Sequence, residues 1–157
     1  MREGTMEIVF RKLPDNRHDL EVRDRRGPDV RLVSQATGPT MPHDLVHAAV
    51  ESALEITDGF WGAMARGATF EGFETTAPTR HRRSGMKVLR RGGDAVLRAE
   101  LSVNWTYRVW SGLSTQGRGV GRSPLDERQV ALGCAALDRA AERWAEVAEG
   151  GTLTWRW

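Results

Sequence analysis

His43-Asp44-Leu45-Val46-His47 places two imidazoles four residues apart, with a carboxylate beside the first and Glu51 four residues beyond the second. On a helix, side chains at that spacing are neighbours on one face, with Cβ atoms about 5–6 Å apart. Two such histidines can grip one divalent ion, and zinc is the first candidate because it takes N and O donors at about 2.0–2.2 Å. At about 100° per residue, His43, Asp44, His47, Glu51 and Glu55 share one arc, and Leu45, Val46, Ala49, Val50, Ala53 and Leu54 fill most of the rest. The plainer reading is a solvated face, with Asp44 favoured near the helix start by the dipole. Against it, residues 42–56 contain neither Lys nor Arg in a chain rich in Arg. The ligand set expected is therefore His43, His47 and one carboxylate, first Glu51 and otherwise Glu100 on a later helix. Asp44 or Glu55 is left to move the proton.

Two resemblances attach to these residues. The pattern is similar to the zincin helix H-E-x-x-H, whose Glu activates the attacking water; Asp44 stands in its place with about 1.5 Å less reach. A longer stretch, Pro42-His43-Asp44-Leu45-Val46-His47, then Glu51, Gly59-Phe60-Trp61-Gly62 and Gly67, resembles a group of small uncharacterised bacterial proteins with the motif P-H-D-L-x-H-x-x-x-E. That resemblance marks the motif as a site without naming a reaction. The expectation is a metal-dependent enzyme, most simply a hydrolase acting on a small molecule or peptide through a metal-activated water.

Other side chains compete for a role. From residue 75 to 93 no acid occurs while Arg80, Arg82, Arg83, Lys87, Arg90 and Arg91 accumulate. Arg80, Arg82 and Arg83 are candidate anion-binding residues, and the rival expectation is a non-enzymatic binding module in which this exposed, mobile segment takes nucleic acid or an acidic partner. His81 sits among cations that disfavour a divalent ion. His18 reads as a surface strand residue, and Cys134, amid Ala and Leu, as an inert buried thiol.

The elements that must carry these groups follow from periodicity. Met6, Ile8 and Phe10 alternate, as do Leu20 and Val22, and turn chemistry at residues 13–16 and 26–29 separates three antiparallel strands. A helix over residues 42–56 stops at Thr57-Asp58-Gly59, a short one follows over 60–65, and residues 67–73 read as a loop or short strand. Asp94 reads as the N-cap of a helix to Trp110 with an apolar stripe at Leu97, Leu101 and Trp105. A glycine-rich connection covers 111–122. Ser123-Pro124 opens the last helix, and Leu153, Trp155 and Trp157 alternate in a final strand returning to the sheet. The fold class expected is α+β: an N-terminal antiparallel sheet, joined by the C-terminal strand, against three or four helices in a single domain over 1–157.

Composition bounds the rest. A chain of 157 residues with 39% hydrophobic and 28% charged residues, six Trp and four Phe can bury one substantial core. With 23 basic and 21 acidic residues the net charge is only +2, which gives little general pull on nucleic acid. No run approaches the roughly 20 apolar residues of a membrane span, and the start lacks the apolar stretch of a secretion signal, so no membrane contact and a cytoplasmic location are expected. One cysteine excludes an internal disulfide and any cysteine-based metal cluster.

Overall fold

The computed structural model describes residues 6–76, 83–84, 93–115 and 121–157. Side-chain alternation builds its sheet. β1 (Glu7–Leu13), β2 (Arg17–Arg23) and β3 (Val30–Ala36) form an antiparallel meander. The first turn closes through Asp15 and Asn16, both at left-handed φ, which short polar side chains tolerate. β4 (Ala68–Thr69) and β6 (Arg83–Ser84) form a separate parallel pair. β5 (Glu74–Thr75) adds to the edge of β3, and β7 (Thr152–Arg156) adds antiparallel to β1, giving the order β5-β3-β2-β1-β7. In this register Ile8 faces Val22 and Trp155, and Phe10 faces Leu20 and Leu153, so one sheet face is apolar.

Among the described residues four helices cover that face: α1 (His43–Ala53), α2 (Phe60–Ala65), α3 (Asp94–Ser111) and α4 (Glu127–Glu146). Ile8, Phe10, Leu20, Val22 and Val30 of the sheet share one buried cluster with Leu45, Val46, Ala49 and Val50 of α1, Val103 of α3, and Leu137, Ala140 and Trp144 of α4. The fold is α+β, as the alternation and helical periods predict. The opposite face carries exposed Arg11, Arg23 and Arg31, with surface ion pairs Arg23–Glu21 (2.8 Å) and Arg31–Glu74 (3.6 Å). Among the described residues no helix is long and apolar enough to cross a membrane.

Several expected boundaries and faces differ. α1 ends at Ala53, and α3 starts on Gly93, with Asp94 its first residue and no side-chain cap. The cap of α4 is Asp126, whose carboxylate accepts from Gln129 N–H while the Gln129 side chain accepts from Asp126 N–H, a capping box three residues past the expected Ser123 cap. The Leu97–Leu101 stripe of α3 points outward, because Ala99, Ser102, Val103 and Thr106 take the inner face. Small residues there permit close approach to α4: a Cβ added at Gly133 would sit 2.6 Å from Thr106 Cγ2.

His18 is a further correction, since it lies in the core at 2% exposure instead of on the surface. Its Nδ1 is 3.0 Å from Thr37 Oγ1, its ring stands edge-on to Trp144, and its Nε2 is buried with no partner among the described residues. Burial, opposed by Asp19 and reinforced by Arg17, lowers its pKa from 6.5 to about 4. The folded state thus binds the proton less readily than the unfolded chain. The stability this represents is complete above pH 6.5 and disappears as pH falls through about 4, some 3 kcal/mol in all. Urea titrations across that range should show the loss in the wild type and a shallower acid limb in His18→Leu; parallel curves would remove His18 from the account.

Candidate functional site

The middle of the polar stripe of α1, His47 and Glu51, lies inside the protein. Proline at the N-cap position and Asp44 in the first turn start the helix, and its apolar arc locks it into the core. Glu51 is 1% exposed and His47 is buried, while His43 is exposed and Asp44 half-buried. The stripe therefore runs from solvent at its N-terminal end to the interior at Glu51, which a merely solvated face would not do.

Its geometry is specific. Nε2 of His43 and Nε2 of His47 are 3.2 Å apart, with ring centroids separated by 4.8 Å. Bonds of about 2.0–2.1 Å from both atoms to one ion would meet at ~100°, near a tetrahedral angle. On the other edge of the His47 ring, Nδ1 is 2.9 Å from Glu51 Oε2. The second Glu51 oxygen, Oε1, accepts the backbone N–H of Trp61 at 3.1 Å, at the start of α2. Glu51, expected as a ligand beside the two histidines, is instead the group behind His47: it fixes the ring and fastens α2 to α1. The indole of Trp61 returns the link, donating from Nε1 to the Asp44 carbonyl at 2.9 Å.

The glycines of the motif have a steric basis in this arrangement. A Cβ at Gly59 would lie 2.5 Å from Glu51 Oε1 and 2.8 Å from its Cδ. At Gly62 it would lie 1.8 Å from the Thr57 carbonyl oxygen, a contact with backbone that no side-chain motion relieves. Residues 42–62 thus act as one unit, in which the loop after α1 must press α2 against the Glu51 carboxylate.

Electrostatics differ across the site. Partial burial against its neighbours, then His47, lowers the pKa of the otherwise exposed His43 and favours the neutral imidazole, with Asp44 and Glu100 opposing. Burial also resists charge on His47, but the hydrogen bond and charge of Glu51, with Glu100 and Asp44, outweigh it and raise its pKa. Burial raises Glu51, against the His47 bond and the Trp61 N–H, and Glu100 adds to the rise. Burial raises Asp44 as well, against both histidines. Glu100, half-buried on α3, is therefore within electrostatic reach of His43, His47 and Glu51. Among the described residues, however, no three His, Cys, Asp or Glu side chains converge as a ready ligand set.

Other expected groups stand elsewhere. Glu55 lies beyond the end of α1 with φ +53°, exposed, lining a separate cleft of about 210 Å³ with Leu54, Asp58, Arg98 and Ser102. It is two helical turns past His47, so the structure does not bring it to the histidine pair as a proton carrier. Arg80 and Arg82 lie outside the described residues, as does most of the basic segment, and Arg83 contributes the backbone of β6. Residues 116–120 of the glycine-rich connection also lie outside them. Cys134 is half-buried, its pKa raised by burial and by Asp138, which suits an unreactive thiol.

One component has no signal in local spacing. Phe60 lies 6.2 Å from the His47 ring and stacks on Phe70 at 4.5 Å, both rings half-buried. Phe60 puts an apolar ring beside His47 with Phe70 stacked behind it, and only the placement of α2 and of the segment after β4 brings them there. No family model, curated protein or solved structure matches this chain.

Proposed function

We propose that this protein is a metal-dependent hydrolase whose divalent ion, zinc in the first instance, is held by Nε2 of His43 and Nε2 of His47. The observation that carries the reading is the 3.2 Å separation of those two atoms with Glu51 on the Nδ1 of His47. A carboxylate behind a histidine makes Nδ1 the donor and turns the Nε2 lone pair toward His43, the tautomer that metal ligation requires. Glu100, whose charge reaches both histidines from α3, is the third ligand in this reading. Bound metal supplies polarisation of a carbonyl or phosphoryl oxygen and a water of lowered pKa. Asp44, next to the first ligand and half-buried, takes the proton from the attacking water and returns it to the leaving group. Phe60 and Phe70 hold the apolar part of a small-molecule or peptide substrate.

The fastening of α2 by Glu51 favours a second reading, in which the His47–Glu51 pair is architectural only. Turnover of simple esters, phosphoesters and dipeptides by untagged protein separates the two. The hydrolase reading expects loss of activity on chelation, recovery with zinc, and a drop of about 100-fold in Asp44→Asn with metal retained. Asparagine is itself well tolerated near a helix start, so the architectural reading expects a stability change of at most about 1 kcal/mol and no chelator effect. Hydrolysis indifferent to chelator would overturn the proposal.

A further inference from the structure

α3 is built inside out for a helix packed on a core. Leu97, Leu101 and Val109 face solvent, at 58%, 47% and 40% exposed, while its buried side is Val103 with the small and polar Ala99, Ser102 and Thr106. Large apolar groups at i, i+4 spacing on an open helix face mark a surface that is covered by something else. The charges on the same face indicate by what. At about 100° per residue, Leu97, Leu101 and Trp105 fall within ~80° of arc, and Asp94 and Arg108 project within that arc as well. Asp94 is seven residues before Leu101 and Arg108 seven after it; Leu97 and Trp105 are four before and four after. The face is thus self-complementary under reversal about Leu101.

We propose that this face binds a second copy of the chain, with the two α3 helices antiparallel across a two-fold axis at Leu101. In that pairing each Leu101 meets its counterpart, Leu97 packs on Trp105 of the second copy, and Asp94 meets Arg108 of the second copy at both ends. A parallel pairing sets Asp94 on Asp94 and Arg108 on Arg108, so the charges select the antiparallel form. Arg98 falls opposite Asn104, which adds no like-charge clash. The Arg108 guanidinium is anchored at the C-terminal end by its Nε bond to the Ser114 carbonyl (2.9 Å), ready for an incoming carboxylate. The contact is isologous and closes as a dimer.

The test is the mass of the full chain by sedimentation equilibrium. The wild type should be dimeric at about 100 μM and dissociate on dilution. Leu101→Glu, which sets two carboxylates against each other on the axis, should be monomeric with an unchanged circular dichroism spectrum, since Leu101 is 47% exposed and lies outside the buried cluster. Asp94→Arg and Arg108→Asp should each weaken the dimer about 10-fold or more, and the double reversal should restore it. A monomeric wild type overturns the proposal, as does a dimer indifferent to Leu101→Glu. A double reversal no stronger than its single variants overturns the antiparallel register.

Discussion

Arg25→Ala is expected to lower the free energy of unfolding by about 3–5 kcal/mol, far more than an ordinary surface substitution. Arg25 is 9% exposed, and all its bonds go to neutral acceptors. Nη1 donates to the Met64 carbonyl at 2.9 Å and the Ala68 carbonyl at 2.5 Å, Nε to the Pro28 carbonyl at 2.8 Å, and Nη2 to Thr69 Oγ1 at 3.2 Å. One guanidinium therefore joins the turn between β2 and β3 to the end of α2 and to β4. Alanine leaves these carbonyls buried without a donor and empties the space between the segments. Arg25→Lys should recover only part of the loss, because a single ammonium cannot span acceptors arranged for a planar fork. Chemical denaturation of the three proteins measures this; an Arg25→Ala protein within 1 kcal/mol of wild type, about the effect of an ordinary surface substitution, would contradict it.

Glu51→Gln should lower zinc affinity by about 10–100-fold while leaving the fold in place. The Trp61 N–H needs an acceptor, so the amide oxygen stays there and the amide NH₂ turns to His47 Nδ1. Nδ1 must then accept, the ring proton moves to Nε2, and the lone pair facing His43 is gone. The exchange retains a hydrogen bond at each end, so stability should fall by no more than about 1–2 kcal/mol. Zinc competition against a chromophoric chelator, with a urea titration alongside, reads both effects. Unchanged affinity would show that Glu51 does not set the tautomer, and a collapsed fold would assign it to architecture alone.

How much of this was legible depends on how local the cause is. Strands β1, β2, β3 and β7 follow from alternation, and the same period places His18 on the face of Leu20 and Val22, so its burial was readable had the residue type not suggested a surface. Nothing in Asp24-Arg25-Arg26-Gly27 distinguishes the buried arginine from its exposed neighbours, because its acceptors lie about 40 residues away. On α3, hydrophobicity and packing disagree: the large residues repeat every four positions, yet close contact with Gly133 of α4 requires the small ones inside. For the site, the helical spacing is enough to bring His43 and His47 together. It is not enough to place Glu51, whose orientation is decided by a backbone N–H ten residues on that arrives only when Gly59 and Gly62 let α2 dock.

The most direct measurement is the metal content of untagged protein by elemental analysis, with the His43→Ala/His47→Ala double variant beside it. About one equivalent of zinc or another divalent transition metal in the wild type, and essentially none in a double variant that remains folded, is the result expected of two converging Nε2 donors. Wild-type protein that is metal-free and takes up no zinc or manganese at micromolar levels would contradict the metal centre and leave His43, His47 and Glu51 as the fastening between α1 and α2.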